Sequence, residues 1–117
     1  MRYTPQQHIR KASDFGNIRT SGLRRECGFF CVNYLSLPDR EPPIRRCGFI
    51  ASKRIGNAVY RNRAKRLLRE TFRRHQENLP PSCDIVLIAR RSINEASLRQ
   101  LEDRFNRAIE YFQKRMG

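Results

Sequence analysis

Between Arg45 and His75 the chain holds eleven lysines and arginines and a single acid, Glu70. No other feature limits its fold as strongly. Cations at this density repel one another and cannot be buried unpaired, so the segment must lie at a surface. The same segment carries Tyr60, Ala64, Leu67, Leu68, Thr71 and Phe72. At about 100° per residue these six fall on one arc of a helix. Arg61, Asn62, Lys65, Arg66, Arg69 and Arg73 fall on the adjacent arc, with Arg63, Glu70 and Arg74 filling the rest. The pattern predicts a long amphipathic helix over 57–77, opened at Gly56-Asn57 and stopped by Pro80-Pro81.

The apolar arc needs a surface to pack on, and the remaining sequence supplies strands. GFFCVNYLSL (28–37) is rich in Phe, Val, Tyr and Cys and short enough for a strand, and RCGFIAS (46–52) reads as a second. The turn segment 38–43 between them predicts an antiparallel pair. A further short strand is read around 22–26. DIVLIA (84–89) is almost wholly apolar, as expected of a strand buried on both faces. Ser13 is expected to cap a short first helix containing Asp14, Phe15 and Ile18, with Gly22 just past its end. Ser97-x-x-Gln100 forms a capping box ahead of a last helix. That helix carries Leu98, Leu101, Phe105, Ala108, Ile109 and Phe112 on one face. Strand 46–52, the long helix and strand 84–89 form a strand–helix–strand unit. The order implies an α+β fold, a small sheet packed with helices, in a single domain over 1–117.

The formal charge of +14 points to a polyanion partner, since self-repulsion destabilises a compact chain. A solvated helix face normally mixes signs to gain i,i+4 pairs, and 45–75 does not. RNA or DNA is the first reading; an anionic membrane surface is the second. A membrane helix would present its Leu and Phe to lipid, but here the sheet needs those side chains. Asn62 offers both a donor and an acceptor among arginines. It reads either as a contact to a sugar, base edge or carbonyl, or as a spacer on the helix surface. Cys27, Cys31, Cys47 and Cys83 lack the paired C-x2-C spacing of a zinc ribbon and read as thiols at strand positions. MRYTPQQHIRKAS is polar, without a signal-peptide core, and a cytoplasmic chain is expected. His8 and His75 are far apart, the acids form no D-x-D cluster, and there is no Gly-rich phosphate loop. A self-sufficient nuclease is therefore not expected.

Residues 48–70, GFIASKRIGNAVYRNRAKRLLRE, resemble the signature of the bacterial ribonuclease P protein subunit, S-K-[KR]-x-G-x-A-V-x-R-N-R-x-K-R-x-[LI]-R-E. The likeness extends to Ile9–Phe15, to Gly22 and to Asp84–Arg90, and so covers nearly the whole chain. The resemblance implies a four-stranded sheet with three helices and an unusual left-handed strand–helix–strand crossover, against the usual hand. It implies a protein subunit that binds the catalytic RNA of ribonuclease P and the 5′ leader of precursor tRNA, assisting endonucleolytic removal of the leader. The chemistry then belongs to the RNA with bound Mg²⁺; no cofactor is expected on the protein alone, and no membrane partner. By position, the resemblance assigns RNA contacts to Lys53, Arg54, Arg61, Asn62, Arg63, Lys65, Arg66 and Arg69. It assigns the leader cleft to Phe15 and Arg90. Two positions depart from the family pattern: Arg19 stands where a second aromatic is usual, and Asn33 where a strand aromatic is common. Phe30 or Tyr34 takes over that second place, according to strand register. These departures imply a more electrostatic hold on the leader. A basic ribosomal or chaperone-like RNA-binding protein without a processing role is the other binding reading.

Overall fold

The computed structural model describes residues 1–116, built around a four-stranded mixed sheet. In chain order, α1 (Ala12–Ser21) is followed by strands β1 (Leu23–Glu26), β2 (Phe30–Ser36) and β3 (Arg45–Ile50). Then come α2 (Ala58–His75), β4 (Cys83–Ala89) and α3 (Leu98–Met116). The strands lie in the order β1-β2-β4-β3. β2 is antiparallel to both β1 and β4, while β3 runs parallel to β4. The expected β2–β3 pairing therefore does not form. β4 is apolar on both faces and takes the centre, with Phe30↔Ala89 to Ser36↔Cys83 on one side and Arg45↔Cys83 to Ile50↔Ile88 on the other. The 37–44 segment passes the start of β4, where Leu37 N–H donates to Ser82 O and Cys83 N–H to Ile44 O.

Alternation along the strands gives two unequal interiors. Phe30, Val32, Tyr34, Cys47, Phe49, Cys83, Ile85 and Leu87 face α2 and α3. There they meet Ala64, Leu68 and Phe72, and Leu101, Phe105, Ala108, Ile109 and Phe112. This is the main core. On the other face Val86 packs with Ile9 and Ile18, flanked by half-buried Phe15, Leu35 and Ile88. All four cysteines are buried thiols. Burial pushes the Cys27 thiol up to about 11 and that of Cys83 to about 12.

Asn57 caps α2, its Oδ1 accepting from Tyr60 N–H at 3.2 Å. Ser97 and Gln100 cap α3 reciprocally, at 2.9 and 3.2 Å. Ser13 does not cap α1. The helix begins earlier, with Lys11 at the cap and the Asp14 and Phe15 N–H groups both donating to Lys11 O, which leaves Ser13 inside the first turn. Gly22 ends α1 at a close approach: a Cβ there would lie 2.4 Å from Tyr34 O. Tyr60 departs from its expected place. It stands in the first turn of α2 and remains 47% exposed, so the packing arc starts at Ala64.

Candidate nucleic-acid interface

β3 leaves the sheet at Ile50 and passes through a short turn, Lys53–Ile55, into α2. Gly56 lies at φ 137°, a conformation that favours glycine, and lets the chain swing from this turn into the helix. Lys53, Arg54, Asn62, Arg63, Arg66 and Arg69 are exposed, and Arg61 and Lys65 are half-buried on the helix flank. Among the described residues, none of the seven cations in this set has a carboxylate within 4.0 Å. Arg69 is held instead over the Phe49 ring, 5.5 Å from its centroid, which orders the guanidinium without neutralising it. Arg63 lies towards the opposite flank, its Nη1 3.5 Å from Asn94 O. The surface stops abruptly at the helix C-terminus. Arg73 Nε and Arg74 Nε donate to Glu70 at 3.0 and 2.9 Å. Those bonds hold the Glu70 carboxyl down to about 2.

The opposite face of the sheet carries a groove. The Phe15 ring lies against Gly48, where a Cβ would stand 2.5 Å from Phe15 Cε1; only glycine admits the ring so close to β3. Beyond it Ile50, 37% exposed, and Ile88 lead to a hollow of about 790 Å³ at the carboxyl ends of β3 and β4. Lys53 and Arg54 line one side of the hollow, and Ile88, Arg90 and Arg91 the other. The topology thus brings together Lys53, Arg54 and Arg90, far apart in sequence, whereas Phe15 and Arg19 do not line the hollow. Arg19 is exposed on α1 beside buried Ile18. Asn33 belongs to the groove face, between Arg24 of β1 and Val86 of β4, and is 6% exposed.

Phe30 does not belong to this site. Register places it on the other side of the sheet, 0% exposed in the main core. Tyr34 shares that side, stacked on Phe112 at 5.0 Å between centroids. Neither aromatic therefore replaces the one absent at Asn33, because side chains an odd number of residues apart in a strand point to opposite faces. The histidines are committed to structure: His8 Nδ1 lies 2.8 Å from Tyr3 Oη, and His75 meets Glu102 and Asn106.

Matches to known proteins agree with this layout. The sequence pattern of the family described as Ribonuclease P matches residues 3–113. The chain belongs to the ribonuclease P protein family. A relative from Desulfovibrio desulfuricans, named ribonuclease P protein component, is 42% identical over 94 residues, 80% of this chain and 71% of that protein. The solved structure of the Staphylococcus aureus RNase P protein is 30% identical, with a TM-score of 0.74 over 92% of this chain and 93% of that one. The RNase P protein from Thermotoga maritima, 24% identical, shares the fold with a TM-score of 0.75 over 89% of this chain and 96% of that one. This is the ribonuclease P protein fold, three helices on a four-stranded mixed sheet.

Two carboxylates that shape the site escape sequence reasoning. Glu26 of β1 takes Arg90 in a two-pronged pair, with Nε and Nη2 donating at 2.8 and 2.9 Å. Arg90 therefore meets the groove already partnered, and its guanidinium holds the Glu26 carboxyl below the usual range. Asp84, in sequence only the first residue of a strand, accepts from Arg46 at 2.9 and 2.6 Å and from Arg40 at 2.7 Å. Register alone reveals this, since Arg46 and Asp84 become direct neighbours only when β3 and β4 run parallel.

Proposed function

We propose that this chain is the protein subunit of a ribonuclease P ribonucleoprotein, working with a catalytic RNA in the cytoplasm on precursor tRNA. The turn at Lys53–Arg54 and the exposed side of α2, from Arg61 through Asn62, Arg63, Lys65 and Arg66 to Arg69, bind the catalytic RNA. The groove from Phe15 and Gly48 to the hollow at Lys53, Arg54 and Arg90 holds the 5′ leader. The observation that carries this reading is the set of seven cations without carboxylate partners, placed beside a groove that shares Lys53 and Arg54 with them. A fold gains nothing from holding like charges together in this way; phosphates offset the repulsion when they arrive.

The chain's own part is binding and positioning. Among the described residues no three His, Cys, Asp or Glu side chains group as metal ligands, and buried Asp84 is committed to two arginines. The family resemblance implies that Mg²⁺ is held with the RNA, where it would supply the hydrolytic chemistry. The leader grip is mainly electrostatic, with one ring, Phe15, at its start and Asn33 in place of a second. The deciding test is reconstitution with the catalytic RNA at low Mg²⁺, comparing precursor and mature tRNA. Tighter binding and faster cleavage of leader-bearing substrate on adding the protein is the expected result. Equal handling of both tRNAs would reduce the chain to a general RNA-binding protein.

A further inference from the structure

We propose that the β1–α3 edge is a second RNA-binding surface, contacting phosphate backbone separate from that held by α2; this rests on the RNA-binding reading above. Along α3, Arg104, Arg107, Tyr111 and Arg115 recur at i, i+3, i+7 and i+11 and so share one flank. That flank adjoins β1. Arg25 Cζ lies 4.3 Å from the centroid of the Tyr111 ring, and Arg115 Cζ lies 4.5 Å from the same centroid. Arg104 stands over Phe29 at 5.2 Å and donates from Nη1 to Cys27 O at 2.8 Å. A hollow of about 210 Å³ opens between them, lined by Arg25, Glu26, Gly28, Arg104 and Arg107.

Among the described residues, Arg25, Arg104, Arg107 and Arg115 have no carboxylate within 4.0 Å. The acids nearby are engaged or stand apart. Glu26 is forked to Arg90, and Glu102 meets His75 on the α2 side. Asp103 and Glu110 fall outside the stripe and within 4.0 Å of no cation. The arrangement repeats the logic of α2: aromatic rings order guanidiniums without neutralising them. Ordered forks that keep their charge suit phosphate oxygens, and the polyanion already assigned to α2 is the natural source. β1 and β3 are opposite edges of the sheet, three strand spacings or roughly 14 Å apart. The two surfaces therefore contact different segments of RNA, and the protein acts as a bridge between them.

The test measures affinity for the catalytic RNA across a salt series with Arg107→Gln/Arg115→Gln, alongside Lys65→Gln/Arg66→Gln and the two pairs combined. Each phosphate that the protein no longer neutralises lowers the slope of log affinity against log salt by about 0.7 to 0.9, so the α3 pair is expected to lower it by roughly 1.5. The combined variant is expected to weaken affinity by the product of the two separate fold-changes. Independently, a hydroxyl-radical probe on Gln100→Cys is expected to cut an RNA segment that a probe on Lys53→Cys leaves intact. A parental slope and affinity for the α3 pair, or one shared cleavage pattern, overturns the second surface while the α2 pair still weakens binding. Absence of any effect from the α2 pair as well overturns the RNA-binding reading itself.

Discussion

At the start of β4, Asp84 is 3% exposed and gathers two arginines, Arg46 by two bonds and Arg40 by one, while Arg46 reaches Asp14 at 3.5 Å. Along the first three turns of α2 the same residue type is exposed or half-buried, and among the described residues none of these arginines has a carboxylate within 4.0 Å. Arginines of both regions count among the 25 basic residues, yet only those on α2 are available to a partner. Near Asp84, cations are part of the fold: they neutralise a buried carboxylate between strands. On α2 they weaken the fold slightly by mutual repulsion and have value only when an anion arrives. A count of cations alone does not distinguish the two. The positions of the few acids do.

Removing Asp84 should break the contrast most severely. Asp84→Ala leaves half-buried Arg40 without a carboxylate and Arg46 with only Asp14, and a loss of about 3 kcal/mol is expected in urea unfolding. RNA affinity of the folded fraction should stay near parental. The converse change, Lys65→Gln/Arg66→Gln, should leave the unfolding midpoint unchanged or slightly raised. It should lower the salt slope of RNA binding by roughly 1.5. A large loss of stability there would show that these cations also serve the fold.

Gly48→Ala sharpens the comparison at the groove. The new methyl must displace the Phe15 ring, which is expected to cost about 1 kcal/mol and to weaken leader-bearing substrate selectively. Unchanged precursor-over-mature preference would remove Phe15 from the leader site. Glu26→Gln converts a paired arginine into a free one. Because the pair is exposed, stability should change by under about 1 kcal/mol, while affinity for the leader rises as Arg90 becomes available. A fall in affinity would mean that Glu26 aims Arg90 rather than competing for it. The smallest effect is in pH. Glu26 and Glu70 both titrate below the usual carboxylate range, held there by Arg90 and by Arg73 with Arg74. Each contributes stability that is present above the unfolded value and lost as pH falls through the folded one, about 2 for Glu70. Acid titration of Glu70→Gln should be flatter between about pH 4 and 2, by under about 1 kcal/mol.

Much of the fold is legible in the sequence because it depends on short spacings. The α2 wheel, the Asn57 start, the Ser97–Gln100 cap and the doubly buried β4 follow from neighbours within one or two turns, where backbone geometry fixes who meets whom. The departures have a shared origin. Pairing β2 with β3 follows sequence proximity, whereas the apolar content of β4 on both faces places it between them. Phe30 can be put in the groove only while strand register is open, and register moves a side chain across the whole sheet. Tyr60 lies on the correct arc but in the first turn of the helix, where it stays 47% exposed.

The sequence by itself determined that one helix must carry a packing arc beside a cationic arc, since periodicity and charge are local properties. It also pointed to a polyanion partner, since one acid cannot neutralise the eleven cations of that run. Tertiary structure alone decided which of those cations are free. Arg46, one of the eleven, meets Asp84 38 residues away, and outside that run Arg90 meets Glu26 64 residues away and Arg40 meets Asp84 44 away. Such pairs form only when strand order and register bring their backbones together. Coulomb attraction acts through space, and the chain's order does not record that distance.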